Sequence, residues 1–447
     1  MGDKTLDLTT GNLWKKMLVF AVPLVLTNLV QAIYNISDMI IVGQFAGATG
    51  LTAAGNGSQV MLLILYIILG LANGGSVVAA RMFGAGEKER IPKVYGTMFL
   101  FFLALALVLT VVVILFTHPI LHAMQTPSEA YGQTVWYLRI CMLGTVFIYL
   151  YNMVSGVLRG IGNSRLPMIL VIMTSIINIV LDLLFVGVFD WSASGAAIAT
   201  LISQILCAIL IISLAGKQHP FIRLRKELLH MDRDILGSII RIGIPQSMQF
   251  ILTALSFLLV LSLVNRFGND ASAVSVSVTR LGSFAVMAAQ AMMGAIAAMT
   301  GQNLAVGQSS RSLKGMGIGI LYAIPLAMLF FLLSELAPTA MLRLFTKEAG
   351  VLTIGPHYLQ ILAISFLIET FMFCMYGLMT GAGYTLVTMS CAIVSGFAVR
   401  FVLASIFGFL TPLGFYGIAW AYVLAPIAST IICLIFIHSG RWKTMRR

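Results

Sequence analysis

Residues 137–162 read YLRICMLGTVFIYLYNMVSGVLRGIG, and residues 358–383 read YLQILAISFLIETFMFCMYGLMTGAG. One shift aligns them at Tyr137/Tyr358, Leu138/Leu359, Ile140/Ile361, Gly156/Gly377, Gly160/Gly381 and Gly162/Gly383. With nearly the same shift Pro23 meets Pro245 and Gly195 meets Gly417. Similarity at a period of half the chain identifies a duplicated structural unit. The acids that lie inside apolar stretches break the match, since Asp38 meets Val260 and Asp182 meets Leu403. One copy carries a candidate acidic site that the other lacks.

The physical setting of both copies follows from composition. Of 447 residues, 60% are hydrophobic and 9% charged, and the mean hydropathy is +1.00. No water-soluble core can absorb that much apolar surface, so the chain is expected to be a polytopic membrane protein. Apolar windows of roughly 20 residues, enough to cross ~30 Å of hydrocarbon as helix, recur twelve times. They lie near 14–36, 54–80, 94–117, 133–158, 166–188, 195–215, 239–264, 272–299, 315–336, 355–379, 385–409 and 414–437. Barrel strands would alternate apolar and polar residues, and runs such as FLFFLALALVLTVVVILF (99–116) do not. The expected fold is all-α, with twelve transmembrane helices. The apolar run after Trp14 is too long for a cleavable signal and is expected to remain as the first helix.

Most of the 27 basic residues fall in segments that lie on one side if the N-terminus is inside. These are Lys4, Lys15, Lys16, Arg81, Lys88, Arg90, Lys93, Arg159, Arg165, a cluster from Lys217 to Arg241, Arg311, Lys314, Arg441, Lys443, Arg446 and Arg447. The positive-inside bias then predicts that both termini are cytoplasmic, in the cell membrane. The net charge of +12 is this loop bias, suited to anionic lipid headgroups rather than nucleic acid. Cys141, Cys207, Cys374, Cys391 and Cys433 lie in or beside apolar runs without a CxxC pair. They read as small core residues.

The polar stretch Gly216–Asp234 divides the chain. The expected domains are an N-terminal six-helix bundle (1–215), a cytoplasmic linker (216–238) and a C-terminal six-helix bundle (239–447). Six spans per half is an even number, so the copies are parallel, related by a pseudo-two-fold axis along the membrane normal. Two such bundles facing a central cleft make an alternating-access transporter, although duplicated helical bundles also serve other ends. Paired glycines, Gly160 and Gly162 with Gly381 and Gly383, close corresponding hairpins as tight turns.

Ionisable groups at membrane depth cost on the order of 2.5 kcal/mol or more and by default mark ion or substrate pathways. Asp38, Asp182 and Glu369 lie well within spans. Gln31, Tyr34 and Asn35 precede Asp38 by seven, four and three residues and share its helix face. In the fifth span Thr174, Asn178 and Asp182 recur every fourth residue; Thr200 in the sixth and Tyr137, Asn152 and Ser155 in the fourth add further polar groups. Two carboxylates, an amide oxygen and a hydroxyl are hard oxygen ligands of the kind Na⁺ takes. Equally, two carboxylates held close cannot both ionise cheaply, so one is expected to carry a proton. Either reading makes the pair a cation switch; the bland alternative is a hydrogen-bond network that only locks the bundle.

Glu369 stands in the tenth span without an acid in the seventh, where Gln246, Gln249 and Ser256 are the polar residues. It either attracts a cationic substrate or pairs with Arg280 or Arg400. Pro23 and Pro245 remove a helix hydrogen bond early in each half and permit a kink. Pro23, about four turns before Asp38, is a candidate hinge. The six histidines sit at loops or span ends, and HExxH, GxSxG and GKS/T are absent, so no enzymatic chemistry is expected. His118 and His122 have i, i+4 spacing and are read as loop polarity. No cofactor or metal is expected beyond Na⁺ at Asp38, Asn178, Asp182 and Thr200.

The ordered set of DMIIVGQFAG (38–47), ARMFGAGEKER (80–90) and VLRGIGNSRLP (157–167), after an early proline and degenerate in the second half, resembles the multidrug and toxin compound extrusion (MATE) transporters over essentially the whole length. The resemblance implies a V-shaped bundle pair that exports cationic and amphipathic drugs in exchange for Na⁺ or H⁺. In members with an N-lobe cation site, the matching residues here are Asp38, Asn178, Asp182, Thr200 and Tyr137. Gln31 and Tyr34 match residues that line the substrate cavity. Another branch places an acid pair on the seventh and tenth helices; Glu369 matches the tenth, and its partner is missing. A flippase of lipid-linked oligosaccharides or cell-wall precursors shares the bundle plan and is the alternative. Its pyrophosphate substrate would want several Lys or Arg in the cleft. The chain is expected to act as a monomer on small-molecule drugs among membrane lipids.

Overall fold

The computed structural model describes residues 5–223 and 230–444. Lys4, Arg446, Arg447 and the linker positions 224–229 lie outside the described residues. Sixteen helices follow one another, and no strand forms among the described residues. The first eight are α1 (Leu13–Phe45), α2 (Gly47–Gly84), α3 (Ile91–Leu115), α4 (Thr117–Ala123), α5 (Ser128–Gly160), α6 (Arg165–Asp182), α7 (Ser192–Gln218) and α8 (Arg233–Val264). The rest are α9 (Asn269–Ala285), α10 (Met287–Ala305), α11 (Ser309–Leu336), α12 (Pro338–Arg343), α13 (Ala349–Ala382), α14 (Thr385–Ile393), α15 (Val402–Phe409) and α16 (Phe415–His438). Eleven helical segments are long and apolar enough to span a membrane, and the pair α9 and α10, bent by 44°, makes a twelfth. The twelve apolar windows of the sequence thus map onto twelve spans.

The described residues fall into two compact units. One contains those of Met1–Asp7 and Val22–Gly243; the other contains Leu8–Ala21 and those of Ile244–Arg447. The chain does not pass from one bundle to the next only once. Residues 8–21 belong with the second unit because its polar side chains hold their backbone. Gln302 Oε1 accepts from Leu8 N at 2.9 Å, and Arg311 donates to the carbonyls of Leu8, Thr10 and Gly11 at 3.1, 2.7 and 2.9 Å. In both α1 and α8 the division falls just before a proline, Pro23 and Pro245. The linker is also shorter than its polarity suggests, since Gly216–Gln218 extends α7 and Arg233–Ser238 opens α8.

Each unit is built around one enclosed helix, α5 in the first and α13 in the second, and the same contacts recur in both. A Cβ on Gly156 would meet Ala72 O at 2.7 Å, and one on Gly377 would meet Met293 O at 2.6 Å. One turn on, Gly160 lies against Ser76 O and Gly381 against Ala297 O. Only a residue without a side chain lets the two backbones come this close. The helices end alike: Gly162 and Gly383 take φ of +85° and +86°, and the following amides, Asn163 N and Tyr384 N, donate to Leu158 O and Met379 O at 2.8 and 2.9 Å. That is a Schellman closure in both halves, which satisfies carbonyls a helix end leaves open. The residue after each glycine then fastens the end of its own half. Asn163 Nδ2 donates to Gln218 Oε1 at 3.3 Å and lies 3.0 Å from His219 Nε2. Tyr384 OH donates to Arg441 O and Thr444 O at 3.0 and 3.1 Å. A short 3₁₀ turn beside each fastening buries an apolar side chain, Ile222 and Trp442.

The spacing between copies grows by one residue between the Gly162/Gly383 turns and the last span pair. There Gly195 lies against Phe185, and Gly417 against Phe407. A π-helical turn, Val394–Phe401, lies in that interval between α14 and α15, and a π turn is one way a helix absorbs an insertion. With the larger shift, which also pairs Gly195 with Gly417, Asp182 meets Ala404 and Asn178 meets Arg400.

Candidate cation site in the first unit

The polar stripe of α1 and the end of α6 meet inside the first unit. Asp182 is the last residue of α6, where a second π-helical turn (Leu183–Val188) begins. It is fully buried, as is Asn178 one turn earlier. Asp38 and Asp182 lie close enough for each carboxyl to act on the other. With its amide oriented to suit both neighbours, Asn178 donates to Asp182 Oδ2 at 2.8 Å and accepts from Thr200 N at 3.2 Å. The hydroxyl of Thr200, on α7, lies 3.3 Å from Tyr34 OH. So Tyr34, Asp38, Asn178, Asp182 and Thr200, from three helices, form one connected group.

Two of its atoms have no partner. Asp38 Oδ1 and Asp182 Oδ1 are buried and accept no hydrogen bond. Unsatisfied buried oxygens are costly, and paired carboxylates repel, unless a cation or a proton sits with them. Ile41, Val42 and Val186, near the two acids in the chain, are buried in one apolar cluster with Ala53, Ala54 and Ala197, and apolar surroundings strengthen a charge interaction. The donors fit a hard cation: carboxylate, amide and hydroxyl oxygens with no soft ligand among them.

Tyr137 is also buried here, but its hydroxyl is 3.2 Å from Ser58 Oγ on α2. The ring fills the space that a Cβ on Gly57 would occupy. Ser58 and Cys141, which shares the apolar cluster with Tyr137, are neighbours that the sequence reading leaves out. The signal for Cys141 was available, one turn along α5 from Tyr137; the signal for Ser58 was not, since nothing in α2 points to α5.

The remaining candidates are less joined. Gln31 and Asn35 are exposed on α1. Asn152 is buried and donates to Ile148 O of its own helix at 2.9 Å, and Ser155 is fully buried with its hydroxyl unpartnered. Thr174 donates to Leu170 O at 2.8 Å. Pro23 is buried within a continuous α1, and Thr27 Oγ1 donates to its carbonyl at 2.8 Å. His118 and His122 flank Tyr131, whose hydroxyl lies 2.8 Å from His118 Nδ1. In the second unit Glu369 is half-buried and forms no hydrogen bond or close ion pair, Arg280 is exposed, and Arg400 is buried.

Comparison with known proteins matches this duplicated arrangement. The MatE family profile covers residues 23–184 and again 245–406, beginning at the two prolines. The chain is 28% identical over 97% of its length to the probable multidrug resistance protein YoeA of Bacillus subtilis, covering 95% of that protein. It is 26% identical to the probable multidrug resistance protein YpnP of the same organism, over 99% of each. Among solved structures, an outward-facing multidrug resistance MATE family transporter of the MOP superfamily has the same fold, with a TM-score of 0.93 at 23% identity over 100% of this chain and 99% of that one. Matched in both halves at equivalent positions, the chain belongs to the MatE family, the multidrug and toxin compound extrusion transporters, and is a transporter rather than an enzyme.

Proposed function

We propose that the protein is a secondary active multidrug efflux antiporter of the cell membrane, with both termini cytoplasmic, exporting cationic or amphipathic compounds in exchange for H⁺ or Na⁺. The observation that carries this reading is the facing pair Asp38 and Asp182, each with a buried oxygen left without a partner. A proton or Na⁺ entering the pair cancels the repulsion and pulls α1 against α6 and α7 through Tyr34, Thr200 and Asn178. Emptying the pair releases them. Because α1 passes Pro23 where one compact unit gives way to the other, a change in its packing at Asp38 has a hinge to act on. Substrate and cation then alternate: the cation enters from outside as drug leaves, and exits inward before drug rebinds. The membrane potential adds about 2.3 kcal/mol per charge per 100 mV.

The test is efflux of a fluorescent organic cation from liposomes holding the purified protein, under separately imposed Na⁺ and proton gradients, with Asp38→Asn beside the wild type. The expected result is that one gradient drives wild-type efflux and neither drives the variant. Cation-driven efflux by Asp38→Asn would refute the assignment.

A further inference from the structure

We propose that the second unit carries a resident cation: the guanidinium of Arg400 occupies the place that the first unit leaves open for an exchangeable one. The inference rests on the cation-site reading of the first unit for the comparison, and on the geometry of the second for everything else.

Arg400 lies at the end of the Val394–Phe401 turn, at the position equivalent to Asn178. The residues around it stand at positions that match, by the same shift, residues of the first-half stripe and its helices. Its Nη1 donates to Ser256 Oγ at 3.2 Å, and Ser256 stands where Tyr34 stands in the first half. Its Cζ lies 5.3 Å from the ring centroid of Tyr422, which stands where Thr200 stands. Phe257, the counterpart of Asn35, gives the closest face, with its centroid 4.3 Å away. Asp38 and Asp182 are replaced by Val260 and Ala404, both fully buried. The two acids have thus become alkyl groups, and beside the guanidinium stand the faces of Phe257 and Tyr422; rings of this kind are what hold a guanidinium or a quaternary ammonium.

The pocket is built for a charge. Arg400 is 6% exposed. Ser256 Oγ donates its own proton to Gly396 O at 2.8 Å, which turns its lone pairs to the guanidinium. Nε of Arg400 is buried without a partner, and no carboxylate reaches ion-pair distance. The carboxylate of Glu369 lies near enough for its charge to act on Arg400. A charge in such a place persists only where its surroundings favour it strongly, and an arginine cannot relieve it by losing a proton. The second unit is therefore permanently occupied, and the exchange of coupling ions falls to the first alone.

The experiment uses the full-length protein. In Arg400→Ala the stem and the charge are both removed, and ethylguanidinium is the probe that restores them; ethylurea has nearly its shape without the charge. Thermal unfolding in detergent should show Arg400→Ala stabilised by low-millimolar ethylguanidinium, saturably and by about 2–4 °C, with no response to ethylurea and none by the wild type. Equal responses to the two compounds, or no response, would overturn the proposal. Should Arg400→Ala not fold, Arg400→Lys and Arg400→Met decide instead. A resident cation requires Lys to retain more cation-driven efflux and a higher melting temperature than Met, and the reverse order contradicts it. Asp38→Asn with Arg400 intact keeps the two readings separable, because loss of its coupling leaves the ethylguanidinium response of Arg400→Ala untouched.

Discussion

The two halves of this transporter share a frame and differ in what they place at one point of it. In the first half that point holds two acids, an amide and two hydroxyls, with two oxygens unsatisfied. In the second it holds an arginine beside two adjacent rings. On the proposed reading a duplicated bundle keeps two kinds of cation site, oxygen ligands for an exchangeable ion in one half and a covalently supplied charge in the other. Only the first kind can report on an ion gradient.

The sharpest way to break this comparison is to neutralise the acids. Asp38→Asn and Asp182→Asn should each leave no efflux above the rate seen without a gradient. Flux measurements under a fixed gradient decide it. Next in size are Gly160→Leu and Gly381→Leu, which push a side chain into the carbonyls of Ser76 and Ala297. Each should destabilise by about 1–3 kcal/mol or more, and by similar amounts, as read from thermal unfolding; a loss confined to one half would mean the frames are not equivalent. Smaller again is Thr200→Val, which removes a hydroxyl from Tyr34 and should cost about 0.5–1.5 kcal/mol. It should appear as a rise in the Na⁺ or H⁺ concentration giving half-maximal efflux. Its counterpart, Tyr422→Phe, keeps the ring that Arg400 needs and should fall within about 0.5 kcal/mol of the wild type, with an unchanged midpoint.

Much of this was legible in the sequence because the signals are local. Apolar windows give the spans, and Asp38 with Tyr34, like Asp182 with Asn178, declares itself by spacing along a single helix. What stayed hidden depends on which helices meet. Nothing in residues 50–60 announces that Ser58 faces Tyr137, and a lone Arg400 in an apolar run gives no sign of Phe257 or Tyr422, far away in the chain. The register at Asp182 has the same difficulty: sequence shows that one residue has been added between the Gly162/Gly383 turns and the last span pair, but not where. Leu8–Ala21 is short and mostly apolar, so its membership of the second unit rests on Gln302 and Arg311 catching its backbone, which pattern alone does not reveal.

The glycine contacts at 156, 160, 377 and 381 have a consequence for how such a protein changes over time. They press backbone on backbone, so the seam depends chiefly on the main chain, with a few neighbouring Cβ atoms such as those of Ala79, Ile296 and Thr300. An ancestral gene that doubled would have inherited two frames already assembled by their main chains. Either copy was then free to exchange a carboxylate for an alkyl group, or an amide for a guanidinium, without refitting the helices around it. Separating the seam from the chemistry lets one half specialise while the other still folds, and that is a route by which paralogues of one architecture come to answer different ions.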